Sequence, residues 1–220
     1  ALKKKVKRTI YLGTSCIYPK FAKVPISEES LLTGKLEKTN QCYAIAKIAG
    51  IKLCEALYED QNLDIICLMP TNVYGDNDNF RKINGHVIPA MISKIEEAKK
   101  NNKKQVKLLG TGKPLREFIH VDDLADSILK SLKIKSNVLK KKFKSKLPIM
   151  NVGTNEEISI RNLSKLISKI IQFKGKIKFD LKSPDGTYRK GLNSKKIKDF
   201  GWLPKIKLKD GLKQVIEKKL

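Results

Sequence analysis

The stretch RTIYLGT, residues 8–14, is rich in β-formers and continuously apolar in its middle. A strand reads this way when helices cover both faces of a parallel sheet and leave it no solvated side. Further on, YAIAKIAGIKLCEALYED (43–60) carries Ala, Leu, Ile and Lys over about five turns and predicts a helix. LDIICLMP (63–70) is a second apolar run, stopped by Pro70, and the turn-rich TNVYGDNDNF follows it. Strand, helix, strand in that order predicts a βαβ unit within a doubly wound, parallel α/β sheet of Rossmann type.

Outward from this unit the pattern continues. HVIPAMISKIEEAKK (86–100) predicts a helix, with Pro89 tolerated near its first turn, and VKLLGTG (106–112) a short strand with a glycine turn. REFIHVDDLADSILKSL (116–132) runs from strand into a helix whose start Asp122 and Asp123 mark. The lysine-dense 133–147 reads as a solvated linker or helix end. PIMNVGT then predicts a strand, SIRNLSKLISKIIQF an amphipathic helix, KIKFD a strand and LKDGLKQVIEKKL a helix. No GxGxxG or GxxGxxG follows a strand and opens a helix, so either the fold is a different one or the phosphate-cradling βα units lie upstream of Ala1. A first residue other than Met fits a fragment or a processed product.

Composition narrows the classes of function. The 220 residues are 40% hydrophobic, enough for one sizeable core, and no run reaches the length of a membrane span. The lysine-rich start lacks the apolar core of a secretory signal, so a soluble cytoplasmic protein is expected. A net charge of +25 invites a nucleic-acid reading. Against it, Arg occurs only at 8, 81, 116, 161 and 189, Lys is scattered throughout, and aromatics make up 6% with no stacking pattern. Cys16, Cys42, Cys54 and Cys67 form no CxxC pair and have no His-rich partner segment, which predicts free thiols and no metal site.

Tyr43 and Lys47 lie four apart on a helix, which stacks them on one face. A phenol titrates near 10 in isolation; a neighbouring ammonium favours the phenolate and makes it a usable acid or base at neutral pH. One βα step upstream, Thr14 puts a hydroxyl at the carboxyl end of a strand, where open α/β sheets place their sites. Each residue alone also has a plain reading: an exposed helical pair, a packed Cys16, a capping His86, a structural His120 in FIHVDD.

Taken in order, LGTSCIYP, TNQCYAIAKIAGIKLCE, MPTNVYG, NDNF…HVIPAMI, GTGKPLREFIHVDDLAD, MNVGT, SPDGTYRK and FGWLP resemble the extended short-chain dehydrogenase/reductase family over nearly the whole chain. The resemblance implies an NADPH-dependent enzyme that inverts C3 and C5 of GDP-4-keto-6-deoxy-D-mannose through enediolates and then reduces C4. It makes Thr14 the hydrogen-bond donor to the keto oxygen, Tyr43 the proton donor, Lys47 the holder of the nicotinamide ribose, and Cys16 and His86 the acid–base pair. It places Leu12, Gly13, Thr14, Ser15, Tyr43, Lys47, Pro70, Thr71, Asn72, Val73 and His86 at the cofactor, and Lys94, Leu109, Arg116 and Asp185 at the GDP-sugar. Leu109 stands where the family often has Trp, which removes a flat surface and an N–H donor.

By the same resemblance, residues 1–84 are the second half of the NADP-binding Rossmann domain, with later segments returning to it, and 85–220 are mainly a substrate-binding lobe. A homodimer built on the helix bearing Tyr43 is implied, with neither membrane nor nucleic acid as partner. Two alternatives stand beside this reading. Another NDP-sugar 4-epimerase or dehydratase of the superfamily would share Thr14, Tyr43 and Lys47 but have no use for a Cys16–His86 pair; a basic nucleic-acid-binding module would rest on charge alone.

Overall fold

The computed structural model describes residues 4, 6–80 and 86–219. Its strands are β1 (Thr9–Leu12), β2 (Ile65–Pro70), β3 (Asn72–Tyr74), β4 (Gln105–Leu109), β5 (Leu115–His120), β6 (Ile149–Val152), β7 (Glu157–Ser159) and β8 (Lys176–Asp180). Its helices are α1 (Gln41–Asp60), α2 (Val87–Lys100), α3 (Val121–Lys133), α4 (Ser136–Lys142), α5 (Ile160–Ile171), α6 (Lys195–Asp199) and α7 (Leu208–Lys219).

The predicted βαβ unit is present. β1 pairs parallel with β2, Thr9 opposite Ile65 and Leu12 opposite Leu68, and β6 pairs parallel on the other side of β2. Every residue of β2 is buried, as its unbroken apolar run requires. Helix α1 buries Ala44, Ile48, Ile51 and Cys54, a stripe at helical spacing that packs toward the sheet. A second sheet, in the order β3-β5-β7, is parallel between β3 and β5 and antiparallel between β5 and β7. The third pairing, β4 with β8, is a parallel ribbon; on β4, Val106 and Leu108 point inward while Gln105, Lys107 and Leu109 point out.

The core has three parts. Ile88, Ile92 and Ile95 of α2 meet Leu163 and Ile167 of α5 and Leu212 and Val215 of α7. Ile48, Ile51 and Cys54 of α1 lie over Ile65, Cys67 and Met69 together with Ile17 and Tyr18. Ile66, Leu68, Met150 and Val152 are closed from the opposite face by Leu124, Leu139, Ile197 and Trp202. Each fully buried side chain of this kind contributes roughly 1.5–3 kcal/mol by leaving water.

The structure corrects the sequence reading in four places. β1, read as a strand with no solvated side, lies at the edge of its sheet with no fully buried residue and Leu12 exposed. Asn72–Tyr74, read as part of a turn-rich loop, is β3, a strand made by its parallel pairing with β5. The lysine-dense 133–147 contains α4, whose single buried residue, Leu139, anchors it in the third part of the core. Ser136 at its start donates to Asp64 at 2.5 Å, and the same carboxylate takes a two-pronged bond from Arg8 at 2.9 and 2.7 Å. At the start of α3 the cap is His120, whose Nδ1 accepts the Asp122 N–H at 3.2 Å, rather than either aspartate. Asp123 is instead buried, accepting the N–H groups of Lys205 and Ile206 at 3.0 and 2.9 Å. The expected boundary between 84 and 85 lies outside the described residues.

Two buried polar side chains set the loops around the strand ends. Asn151 of β6 accepts from the Tyr18 hydroxyl at 2.6 Å and donates to the carbonyls of Ile26 and Asn193 at 2.9 and 3.2 Å. Its own N–H is received by buried Glu28 at 2.8 Å. Glu117 of β5 accepts from the N–H groups of Asn155 and Leu192 at 2.7 and 2.8 Å. A Cβ on Gly153 would lie 2.2 Å from the Glu117 carboxylate, so that turn must be glycine. Asn151→Leu leaves the buried Tyr18 hydroxyl without its partner and takes one donor each from the Ile26 and Asn193 carbonyls, and the expected loss is about 2 kcal/mol or more, read as a lower midpoint in urea unfolding.

Candidate active site

The chain leaves β1 through Gly13, whose N–H continues the ladder to the Leu68 carbonyl at 2.9 Å, and enters a 3-10 turn over Ser15–Ile17. Thr14 caps that turn, its Oγ1 accepting the Cys16 N–H at 3.3 Å. A hydroxyl with one lone pair engaged in this way keeps its own proton free to donate, which suits it to polarise a carbonyl. Cys16, two residues on, is half-buried with a free thiol.

Tyr43 lies in the first turn of α1, 51% exposed, and its hydroxyl has no hydrogen-bond partner among the described residues. Lys47 donates to the Leu12 carbonyl at 2.9 Å, and its Nζ stands 5.9 Å from the centre of the Tyr43 ring. The ammonium therefore bridges the helix and the end of β1. With one donor engaged, it keeps others for a ligand lying across that strand end. This free phenol and part-free ammonium fit the ribose and nicotinamide of a dinucleotide.

On the next strand, Pro70 ends β2. Thr71 and Asn72 both donate to the Glu117 carbonyl, at 3.0 and 2.8 Å. Those side chains hold the start of β3 on β5, and Val73 packs against the core. The four residues expected around the substrate, Lys94, Leu109, Arg116 and Asp185, line one cleft of about 240 Å³ with Val87, Met91 and the Gly110–Gly112 turn. Arg116 is half-buried, and burial lowers its pKa, with Asp185 and Cys16 near enough for their charges to oppose the shift. Asp185 accepts from the N–H and the hydroxyl of Thr111 at 2.9 and 2.6 Å, and these bonds hold its carboxyl below the usual range. Leu109, 67% exposed, forms part of the cleft lining.

His86 is the N-cap residue of α2 but makes no side-chain cap bond; its imidazole is 81% exposed, with Nδ1 3.7 Å from Asp78. Among the described residues no hydrogen bond or ion pair joins it to Cys16 or Tyr43. Its neighbour Val87 lines the cleft.

Sequence reading passed over several residues that the structure brings here. Burial lowers the pKa of Lys190, and the charges of Cys16, Arg116 and Glu37 are near enough to act on it. Buried Glu37 accepts from Thr187 at 2.8 Å and pairs with Lys20 at 3.2 Å, tying the segment after Asp185 to the loop after Tyr18. Tyr11 lies under Lys47. The one legible signal was Gly50, a poor helix former inside a helix of 20 residues, which calls for a packing reason.

A doubly wound parallel sheet with a hydroxyl, a phenol and an ammonium gathered at its strand ends, beside a cleft holding cations, defines a Rossmann-type enzyme scaffold. The chain belongs to the NAD dependent epimerase/dehydratase family, whose pattern matches residues 1–153. It is similar to GDP-L-fucose synthase 1 of Arabidopsis thaliana, 48% identical over 212 residues, 96% of this chain and 63% of the relative. With GDP-L-fucose synthase of Escherichia coli K12 it shares 44% identity over 207 residues, 94% of this chain and 64% of the relative. A crystal structure of a GDP-D-glycero-L-gluco-heptose synthase from Campylobacter jejuni in the presence of NADPH matches with a TM-score of 0.89 at 33% identity, covering 98% of this chain and 71% of that one. The chain thus spans less than two thirds of the length of these two curated relatives.

Asp185 anchors the Gly110–Gly112 turn, where both glycines have positive φ. Asp185→Ala should therefore speed hydrogen exchange at the Thr111 amide by ~10-fold or more and cost about 1–2 kcal/mol of stability.

Proposed function

We propose that this chain is part of an NADPH-dependent enzyme that epimerises C3 and C5 of GDP-4-keto-6-deoxy-D-mannose and reduces C4, giving GDP-L-fucose. The observation that carries the reading is the position of Arg116. Arg116 lines the cleft together with Asp185, and it is near enough to Cys16 of the strand-end turn to feel its charge, which supports reading the two groups of residues as one site. The relatives' names supply the substrate class, and the free phenol and part-free ammonium of Tyr43 and Lys47 suit the nicotinamide half of NADPH.

In this reading the GDP diphosphate lies against Arg116 and Lys94, and the hexose reaches the end of β1. Arg116 is suited to the task because a guanidinium can fork onto two phosphate oxygens. Thr14 donates its hydroxyl proton to the C4 keto oxygen, which acidifies the hydrogens on C3 and C5. Cys16 and His86 exchange those protons on opposite faces of the ring: one takes a proton from carbon, the other returns one to the opposite face, and the charge between the two events rests on the C4 oxygen as an enediolate. NADPH supplies the hydride for reduction at C4. Tyr43 gives its phenolic proton to the C4 oxygen in that step, and Lys47 holds the phenol and the ribose in register.

A homodimer through the outer face of α1 belongs to the same proposal, supported by exposed Ile45 (51%) and Leu53 (61%). So does a cytoplasmic location; no helix among the described residues is long and apolar enough to cross a membrane.

Cys16→Ser tests the assignment against a simple 4-epimerase or dehydratase. The expected outcome is loss of deuterium incorporation at C3 and C5 by ~100-fold or more, while reduction of a ketosugar that needs no epimerisation persists. Unchanged exchange and product stereochemistry would contradict it. Tyr43→Phe should instead slow reduction by ~100-fold or more and spare exchange.

A further inference from the structure

Lys47 is held from both ends by one side chain. The Tyr11 hydroxyl donates to the main-chain carbonyl of Lys47 at 3.2 Å. The ring of the same tyrosine lies 5.5 Å from Lys47 Nζ. With the Tyr43 ring 5.9 Å away, the ammonium stands between two phenol faces and is tied to the Leu12 carbonyl at 2.9 Å. An aromatic face attracts a cation through its quadrupole, so each ring favours this position of the ammonium.

The helix is built to admit this contact. A Cβ at residue 50 would lie 2.1 Å from the Tyr11 hydroxyl oxygen and 2.5 Å from the ring carbon bearing it, so only glycine lets the phenol reach the carbonyl one turn earlier. The helix carries a residue of poor propensity at its middle, and the gain is a hydrogen bond onto the turn that bears Lys47. Tyr11 is half-buried, and burial raises its pKa, with Cys54, Cys67 and Tyr43 as its charged-form neighbours; the proton stays on the phenol and is available to donate.

We propose that Tyr11 is a positioning residue for Lys47: its hydroxyl fixes the height of the helical turn over β1, and its ring fixes the ammonium at the strand end. It touches neither substrate nor cofactor and acts only through Lys47. The inference rests on the role given to Lys47 above. It also says why α1 must sit at one height on the sheet: a shift of one residue along the helix axis, ~1.5 Å, would break the bond to the carbonyl and leave the ammonium off the ring.

The test is a double-mutant cycle read by NADPH fluorescence titration in wild type, Tyr11→Leu, Lys47→Met and the double variant. With each contact worth a factor of ~3, Tyr11→Leu is expected to raise the NADPH dissociation constant ~5–10-fold when Lys47 is present, and less than ~2-fold when residue 47 is Met. Tyr11→Phe, which keeps the ring, should stay within ~3-fold of wild type. Equal losses from Tyr11→Leu in both backgrounds would show a merely structural residue and overturn the proposal. Should the wild type, which spans less than two thirds of its curated relatives' length, bind no NADPH, the contact is read without cofactor. The same four proteins are then compared by urea midpoint, where coupling between positions 11 and 47 supports the contact and additive losses refute it.

Discussion

A carboxylate with no exposed surface needs hydrogen-bond donors around it, and Glu117 recruits them from the main chain of two distant loops. Its side chain draws in the turn after β6 and the segment around Leu192, while its carbonyl holds Thr71 and Asn72 after β2. Three segments far apart in sequence thereby meet at one residue of β5. Its neighbour Arg116 points to the cleft, so the rigidity of one residue fixes the position of the next. Burial raises the Glu117 pKa while the donated bonds oppose it, which is the balance expected where a charge is buried for the sake of geometry.

Asn151 plays the matching part on the neighbouring sheet. A primary amide both donates and accepts, so it can join a phenol to two carbonyls, which an aliphatic residue in the same space cannot. The effect is to hold Tyr18, and with it the turn that carries Thr14 and Cys16, against β6. The strand-end hydroxyl and thiol owe their placement to packing behind them, and the phenol and ammonium owe theirs to a helix resting on the same sheet. The candidate site is thus set by how the two sheets are laced together.

Much of this was legible from residue pattern. The unbroken apolar run at 65–70 and the long helix before it announce a parallel sheet, and Tyr43 with Lys47 follows from helical spacing. The cleft-lining residues proposed for the substrate were legible only through family resemblance, since Lys94 on a lysine-rich helix looks like surface. Other features could not be read. Three-residue strands such as β3 and β7 exist because of their partners and carry no periodicity of their own. Helix α4 depends on one leucine among lysines. Glu117 in REFIHVDD reads as a solvent-facing residue of a strand, and only the loops that close over it make it buried. Tyr11 looks like an ordinary strand aromatic until Gly50 is seen beneath it.

The cleft that holds Lys94 and Arg116 sits in a chain of net charge +25. An anionic ligand approaching it is attracted from well outside contact range, over a screening length of about 8–10 Å near physiological ionic strength. Capture of such a ligand is thus fast in dilute buffer and slows as salt is added. The many lysines remote from the cleft act collectively on encounter rate, while the final fit depends on the few that line it.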